Sequence, residues 1–105
     1  MNDSAYASLT AITETASSIG NSSVKLNSLI QNEASNLPSN TWFEWGTTPS
    51  LGNQTVQIST GNFPSVRHIN TMTGLAPGTT YYFRAVVENS SWRNSGNTLS
   101  FITGG

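Results

Sequence analysis

The strongest constraint on this chain is a tight turn followed by a long alternating strand, both within residues 72–89. Pro77 presets the backbone angle φ and Gly78 supplies a permissive position, so this pair predicts a turn. Beyond the turn every second side chain is apolar, and the apolar set is Tyr81, Phe83, Ala85 and Val87. This period of two predicts a strand with one buried face.

The tyrosine that follows this turn has a predicted structural role. In Greek-key β-sandwiches, a tyrosine shortly after such a turn bonds through its hydroxyl to backbone upstream of it. Tyr81 stands in that position. We therefore predict a structural corner made of Leu75, Pro77, Gly78 and Tyr81, in which the Tyr81 hydroxyl bonds to backbone near the turn.

The rest of the chain contains further short strands and no amphipathic helix. Ser, Thr, Gly and Asn recur too often for an apolar stripe of helical period to persist. Seven strands are predicted, at residues 8–14, 24–31, 41–45, 54–59, 65–73, 81–88 and 98–103. A loop is predicted at residues 90–97, between the last two strands. The pattern predicts an all-β domain.

Two segments resemble those of fibronectin type III domains. The Leu75-x-Pro77-Gly78-Thr79-x-Tyr81 pattern is similar to their E–F corner. Residues 43–48 (FEWGTT) are similar to the end of strand C in modules of bacterial and archaeal extracellular proteins. The resemblance spans residues 8–103 and implies a seven-stranded Greek-key β-sandwich, immunoglobulin-like, with strands A, B and E in one sheet and C′, C, F and G in the other. Residues 1–7 are then a flexible lead and 104–105 a tail.

The chain departs from animal fibronectin type III domains in two places. Their strand B usually carries a buried Trp, whereas the matching positions here hold Leu26 and Ser28. The predicted F–G loop contains no Arg-Gly-Asp, so the resemblance does not imply integrin binding. It implies the general role of such modules, as a non-catalytic spacer, adhesion or protein–protein interaction domain of a larger secreted protein.

The composition narrows the classes of partner and the location. Only 9% of the residues are charged and the net charge is −1, so no basic surface is available for nucleic acid. No apolar run approaches the roughly 20 residues of a membrane-spanning helix. Ser, Thr and Asn make up 42 of the 105 residues, and such low-charge β modules are typical of extracellular and cell-surface proteins.

The sequence offers no convergent set of catalytic or metal-binding residues. His68 is the only histidine and there is no cysteine, so metal and cofactor sites are not predicted. The carboxylates are scattered along the chain, at Asp3, Glu14, Glu33, Glu44 and Glu88. Because catalysis needs several groups at one place, we predict that the protein is not an enzyme and that His68 is a structural strand residue.

The candidate contact surface is Trp92 with Arg93, adjacent residues in the predicted F–G loop. Trp and Arg are enriched at interface hot spots. An alternative, in which Trp92 covers the end of the sandwich as part of the core, stays open. Alternation on strand C places Trp45 on the core face and Trp42 on the opposite face. The strand predicted at 54–59 lacks Lys, Asp, Glu and Pro, the usual devices against edge pairing.

Four Asn-x-Ser/Thr sequons occur, one of them at Asn2. The other three fall in predicted turns and are candidate glycosylation sites: Asn21, Asn53 and Asn89. The expected partner is a protein, either a neighbouring domain or a second copy of the chain. One alternative function is a subunit of a homopolymeric surface filament assembled through sheet edges or terminal strands. Another is a carbohydrate-binding accessory module.

Overall fold

The computed structural model describes residues 9–32, 38–61, 65–90 and 92–105, and the lead predicted at 1–7 lies outside them. The described residues form strands and no helix, so none of them forms a helix that could cross a membrane. The strands are β1 (Leu9–Ser17), β2 (Val24–Asn32), β3 (Ser39–Gly46), β4 (Asn53–Gln54), β5 (Ile58–Gly61), β6 (Ser65–Met72), β7 (Thr80–Glu88), β8 (Arg93–Ser95) and β9 (Leu99–Ile102).

These strands form two antiparallel sheets packed as a sandwich. The first sheet has the order β1-β2-β6, which corresponds to strands A, B and E. In the second sheet, β3 (strand C) and β7 (strand F) lie at the centre. Strands β4 and β5 pair with β3 as strand C′, and β8 and β9 pair with β7 as strand G. The all-β sandwich and its predicted division into two sheets are confirmed.

Two of the seven predicted strands are each divided into two segments. Strand C′ is interrupted between β4 and β5. There the Thr55 N–H donates to the Phe43 carbonyl, and the Phe43 N–H donates to the Thr55 hydroxyl oxygen rather than to a backbone carbonyl. Strand G is interrupted because its register against β7 changes by one residue: Ser95 lies opposite Val86, but Leu99 lies opposite Phe83. The loop predicted at 90–97 therefore contains a strand, β8.

The interruption of strand G is the place where β1 meets the second sheet. The Gly96 N–H still bonds the Ala85 carbonyl at 2.9 Å, but the Ala85 N–H bonds the Thr13 hydroxyl oxygen at 3.0 Å. The backbones approach so closely that a Cβ atom on Gly96 would lie 2.5 Å from the Thr13 hydroxyl and 2.7 Å from the Ala11 carbonyl oxygen. Asn94 also donates from its side chain to the Leu9 carbonyl. We call this contact the Thr13 side of the sandwich.

The core fills the space between the sheets with alternate residues of the long strands. On β7 the buried inner positions are those that the period of two predicts, Tyr81, Phe83, Ala85 and Val87. The ring of Phe83 contacts those of Phe43 at 6.2 Å and Phe101 at 5.9 Å between centroids. Leu26 and Ser28, which stand where animal domains carry a Trp, are fully buried.

The turn before β7 is tied to the end of strand G. The Ala76 N–H donates to the Tyr81 hydroxyl at 2.8 Å, and the Thr103 hydroxyl donates to the Ala76 carbonyl at 2.7 Å. Gly78 has a φ of 58°, which glycine adopts without strain. In the segment 104–105, predicted as a tail, Gly104 accepts from the Gly78 N–H and donates to the Gly20 carbonyl.

Candidate functional site

Trp92 lies in the tight turn that joins β7 to β8. Its N–H donates to the Asn89 side-chain oxygen at 2.7 Å, and the Asn89 N–H donates to the Trp92 carbonyl at 2.9 Å. These two bonds fix the turn, while the Trp92 side chain is 44% exposed and is not among the buried core residues. Trp92 is therefore a large, exposed aromatic residue whose backbone is bonded to Asn89.

The sequence predicted that Arg93 lies in a free loop. In the structure, Arg93 instead begins β8. Its guanidinium lies 5.2 Å from the ring centroid of Trp42, a cation–π distance. It also donates to Glu44 Oε2 at 3.0 Å. The pairing of β8 with β7 brings Arg93 over the outer face of strand C, and sequence reasoning missed this pairing because it depends on the turn geometry.

Trp42 is on the outer face of the second sheet, as the alternation predicts, yet it is only 1% exposed. Its cross-strand partner Val86 is also 1% exposed, and Arg93 covers the indole ring. Trp45 is on the core face, where its ring lies 5.9 Å from that of Tyr81. Of the three tryptophans, only Trp92 has an exposed side chain.

Glu44 connects three strands of the second sheet through its two carboxylate oxygens. Oε1 accepts from Arg84 on β7 at 2.7 Å, and Oε2 accepts from Arg93 on β8 at 3.0 Å. Both cations thus bind the same carboxylate. Ion pairs that remain partly exposed contribute at most about 1 kcal/mol each to stability. Their main effect is to hold the Arg93 side chain in one orientation beside the Trp92 turn.

A shallow polar recess of about 300 Å³ adjoins this cluster. The Glu44 and Arg84 side chains form one wall, and the segment 50–54 forms the other. Glu44 and Arg84 lie directly opposite each other in the pairing of β3 with β7. Sequence reasoning overlooked the two residues as a pair, although both occupy outward positions of predicted strands, and this alternation was the signal that could have found them.

His68 lies in the core rather than in a reactive cluster. It is 8% exposed, and its ring stacks on Phe43 with centroids 5.3 Å apart. Burial lowers its pKa below 6.5, because the charged form loses hydration. Within the described residues, no group of three or more His, Asp or Glu side chains lies close enough to hold a metal ion. We call the Phe43–His68 contact the His68 side of the sandwich.

The sequons differ in accessibility. Asn21 and Asn53 are exposed, but Asn53 lies on β4 opposite Trp45 rather than in a turn. The side-chain nitrogen of Asn89, to which a glycan would attach, is buried in the turn that holds Trp92. Asn2 is outside the described residues. The geometry thus favours Asn21 and Asn53 over Asn89 as acceptors.

Comparison with known proteins gives similarity in structure only. No protein-family profile and no curated protein sequence matches the chain. Two solved structures of the sensor domain of the anti-sigma factor RsgI4 from Pseudobacteroides cellulosolvens are similar to it, with TM-scores of 0.74 and 0.68 at 20% and 22% identity. The matches cover 92% and 91% of this chain and 76% and 94% of those chains.

A fibronectin type III domain of the human KIAA0970 protein is similar as well. The TM-score is 0.60 at 17% identity, and the match covers 90% of this chain and 72% of that one. At such identities the similarity shows the fold: the chain is a β-sandwich of fibronectin type III-like fold.

Proposed function

We propose that this chain is a non-catalytic interaction module of a larger extracellular or cell-surface protein, and that it binds a protein partner through the F–G hairpin. The observation that carries this proposal is the exposed Trp92 side chain on a turn fixed by two hydrogen bonds to Asn89. A backbone that is already held by hydrogen bonds loses little conformational freedom on binding, so more of the contact energy appears as affinity.

The neighbouring Arg93 supports a protein partner over a carbohydrate. Sugar binding through aromatic platforms requires accessible rings, but Trp42 is covered by Arg93 and Trp45 faces the core. One exposed Trp beside an oriented Arg is instead the combination enriched at protein–protein hot spots. The low charge and the abundance of Ser, Thr and Asn support the extracellular location.

A second candidate is an input domain that passes ligand binding on to another domain. The observation in its favour is the similarity in fold, over 91–92% of the chain, to the sensor domains of an anti-sigma factor. Both candidate functions require that the chain binds a partner, so one binding experiment tests the step that they share.

The test is selection of peptides from a random phage-displayed library on the purified protein, with a glycan array in parallel. Selected peptides should bind Trp92→Ala roughly tenfold or more weakly, as expected of a hot spot. They should bind Ile69→Ala as they bind the wild type, because Ile69 is similarly exposed, at 49%, on the other sheet. Peptides that bind Trp92→Ala at full affinity, or binding to glycans alone, would contradict the proposal.

A further inference from the structure

Two edge segments of the C′–C–F–G sheet are uncharged: the C′ edge and the β9 part of strand G. Residues 51–61, which include β4 and β5, contain no Lys, Arg, Asp, Glu or Pro, and neither do residues 98–103, which include β9. In the described part of the chain, β4 and β5 pair only with β3, and β9 pairs only with β7. Natural sheets normally block such edges with charged residues or proline, and these edges lack both.

Both edges also expose branched apolar side chains. On the C′ edge, Val56 is 71% exposed and Ile58 is 43% exposed. On the G edge, Ile102 is 64% exposed. β-Branched residues favour strand pairing, so these edges have the composition of paired strands. Among the described strands, none pairs with the outer side of β5 or β9.

The main chain of β9 has hydrogen-bonding groups directed away from its partner β7. The Thr103 N–H bonds the Thr79 carbonyl, which fixes the alternation of bonded pairs along this ladder. In an antiparallel ladder the residues between bonded pairs direct their N–H and C=O groups outward. Ser100 and Ile102 are those residues, and a further strand could bond them.

The strand directions permit this further strand to come from an identical sheet. Through β3 and β7, the order from one edge to the other is β5-β3-β7-β9, and every pairing is antiparallel. With four strands, β5 and β9 run in opposite directions. Two copies in the same orientation therefore bring β9 of one beside β5 of the next as an antiparallel pair, which continues the sheet.

A groove beside β9 matches the side chains that this pairing would bring. It has a volume of about 480 Å³, and its apolar wall is formed by Ala16, Ile19, Leu99 and Phe101. Ile58 lies opposite Thr41, which faces the core, so Ile58 is on the inner face of its sheet. In a continued sheet, Ile58 of the neighbour lies on the same face as Leu99 and Phe101.

We propose that copies of this chain associate head to tail, with the β5 edge of one copy added to the β9 edge of the next. Main-chain bonds supply the attraction, and the apolar wall of the groove selects the neighbour's Ile58. The two surfaces differ, so the contact is heterologous and successive copies can add without closing. This self-association uses neither Trp92 nor Arg93 and goes beyond the partner binding proposed above.

The test measures mass in solution by sedimentation equilibrium as the protein concentration rises. The weight-average mass of the wild type should climb above the 11.2 kDa of one chain. Ile58→Lys and Ile102→Lys should each weaken association roughly tenfold or more, because a lysine on an edge strand opposes pairing with a further strand. Ile69→Lys is the matched control: it adds the same charge at an exposed isoleucine of β6, away from both edges, and should associate as the wild type does.

Mixing the two edge variants separates head-to-tail pairing from every symmetric alternative. Ile58→Lys keeps an intact β9 edge and Ile102→Lys keeps an intact β5 edge. At the concentration where the wild type begins to associate, each variant alone should stay near the mass of one chain, whereas an equimolar mixture should form a dimer and nothing larger. Circular dichroism checks that each variant is folded. Ser59→Lys and Ser100→Lys replace any variant that is not, since both positions are exposed on the same strands.

A wild type that keeps the mass of one chain up to millimolar concentration would overturn the proposal. It would also fail if the wild type associates but the mixture of edge variants does not form dimers. Loss of association in Ile69→Lys would assign the contact to the other sheet and overturn it as well.

Discussion

The two sides at which the sheets meet are built in different ways. On the Thr13 side, the interruption of strand G leaves the backbone N–H of Ala85 without a ladder partner. The Thr13 hydroxyl oxygen accepts a hydrogen bond from this N–H. On the His68 side, the imidazole of β6 stacks on the Phe43 ring of β3. The first contact depends on the positions of single atoms, whereas the second depends on the burial of one titratable ring. Substitutions should therefore act sharply on the first side and pH on the second.

The largest effect is expected for Gly96→Ala on the Thr13 side. The added Cβ would lie 2.8 Å from the Thr13 backbone nitrogen and closer still to two oxygens, so β1 must move away from strand G. We expect the free energy of unfolding to fall by about 3 kcal/mol. Denaturant unfolding measures it. Ser100→Ala, at an exposed position of β9, is the control and should change little; equal losses in both variants would contradict the tight contact.

The next effect is expected for Thr13→Val, which keeps the shape of the side chain and removes its hydroxyl. The Ala85 N–H then stays buried without a partner, which should cost about 2 kcal/mol in the free energy of unfolding. Thr13→Ser keeps the hydroxyl and should recover most of the stability, as urea titrations of the three proteins would measure. If the valine and serine variants unfold at the same midpoint, the hydrogen bond is not what stabilises this side.

A smaller effect is expected for Tyr81→Phe. This residue is in the corner before β7, which belongs to neither the Thr13 side nor the His68 side. The Ala76 N–H loses its acceptor at a partly buried position, which should cost about 1 kcal/mol. Thermal unfolding should show a lower midpoint for this variant. Tyr82→Phe, on the outward position next to it, should melt as the wild type does. If both variants keep the unfolding midpoint of the wild type, the Tyr81 hydrogen bond does not stabilise the fold.

The smallest effect is expected on the His68 side and appears as pH dependence. Burial holds the pKa of folded His68 below the 6.5 of the unfolded chain, so the unfolded state binds more protons between the two values. Stability should be full above about pH 7.5 and should fall as the pH decreases through 6.5, by less than about 1.4 kcal/mol per unit. His68→Phe keeps a stacked ring and should remove this slope between about pH 7.5 and 5.5.

Much of the fold could be predicted because local patterns report directly on it. The alternation from Tyr81 to Val87 gave the buried face of β7, and the Pro77-Gly78 turn located the corner. The interruption of strand G could not be predicted in this way. It depends on a tertiary bond between Thr13 and Ala85, residues that are 72 positions apart in the sequence.

The candidate site was predictable only in its residues and not in its arrangement. Trp92 is exposed at a turn, but Arg93, its neighbour in sequence, belongs to a strand and binds Glu44. A large apolar residue on an outward strand position, such as Trp42, indicates a covered surface. Which cation covers it depends on the register of β8, and the sequence carries no local signal for that register.

The close approach of β1 to strand G has a mechanical consequence. Leu9 lies by Asn94, Thr13 by Gly96, and the groove separates residues 15–19 from residues 98–101, so the two strands run in the same direction. A force that pulls residues 9 and 103 apart therefore slides one strand along the other. The contacts of the Thr13 side are then loaded in shear and resist together, whereas a peeling force would break them one at a time.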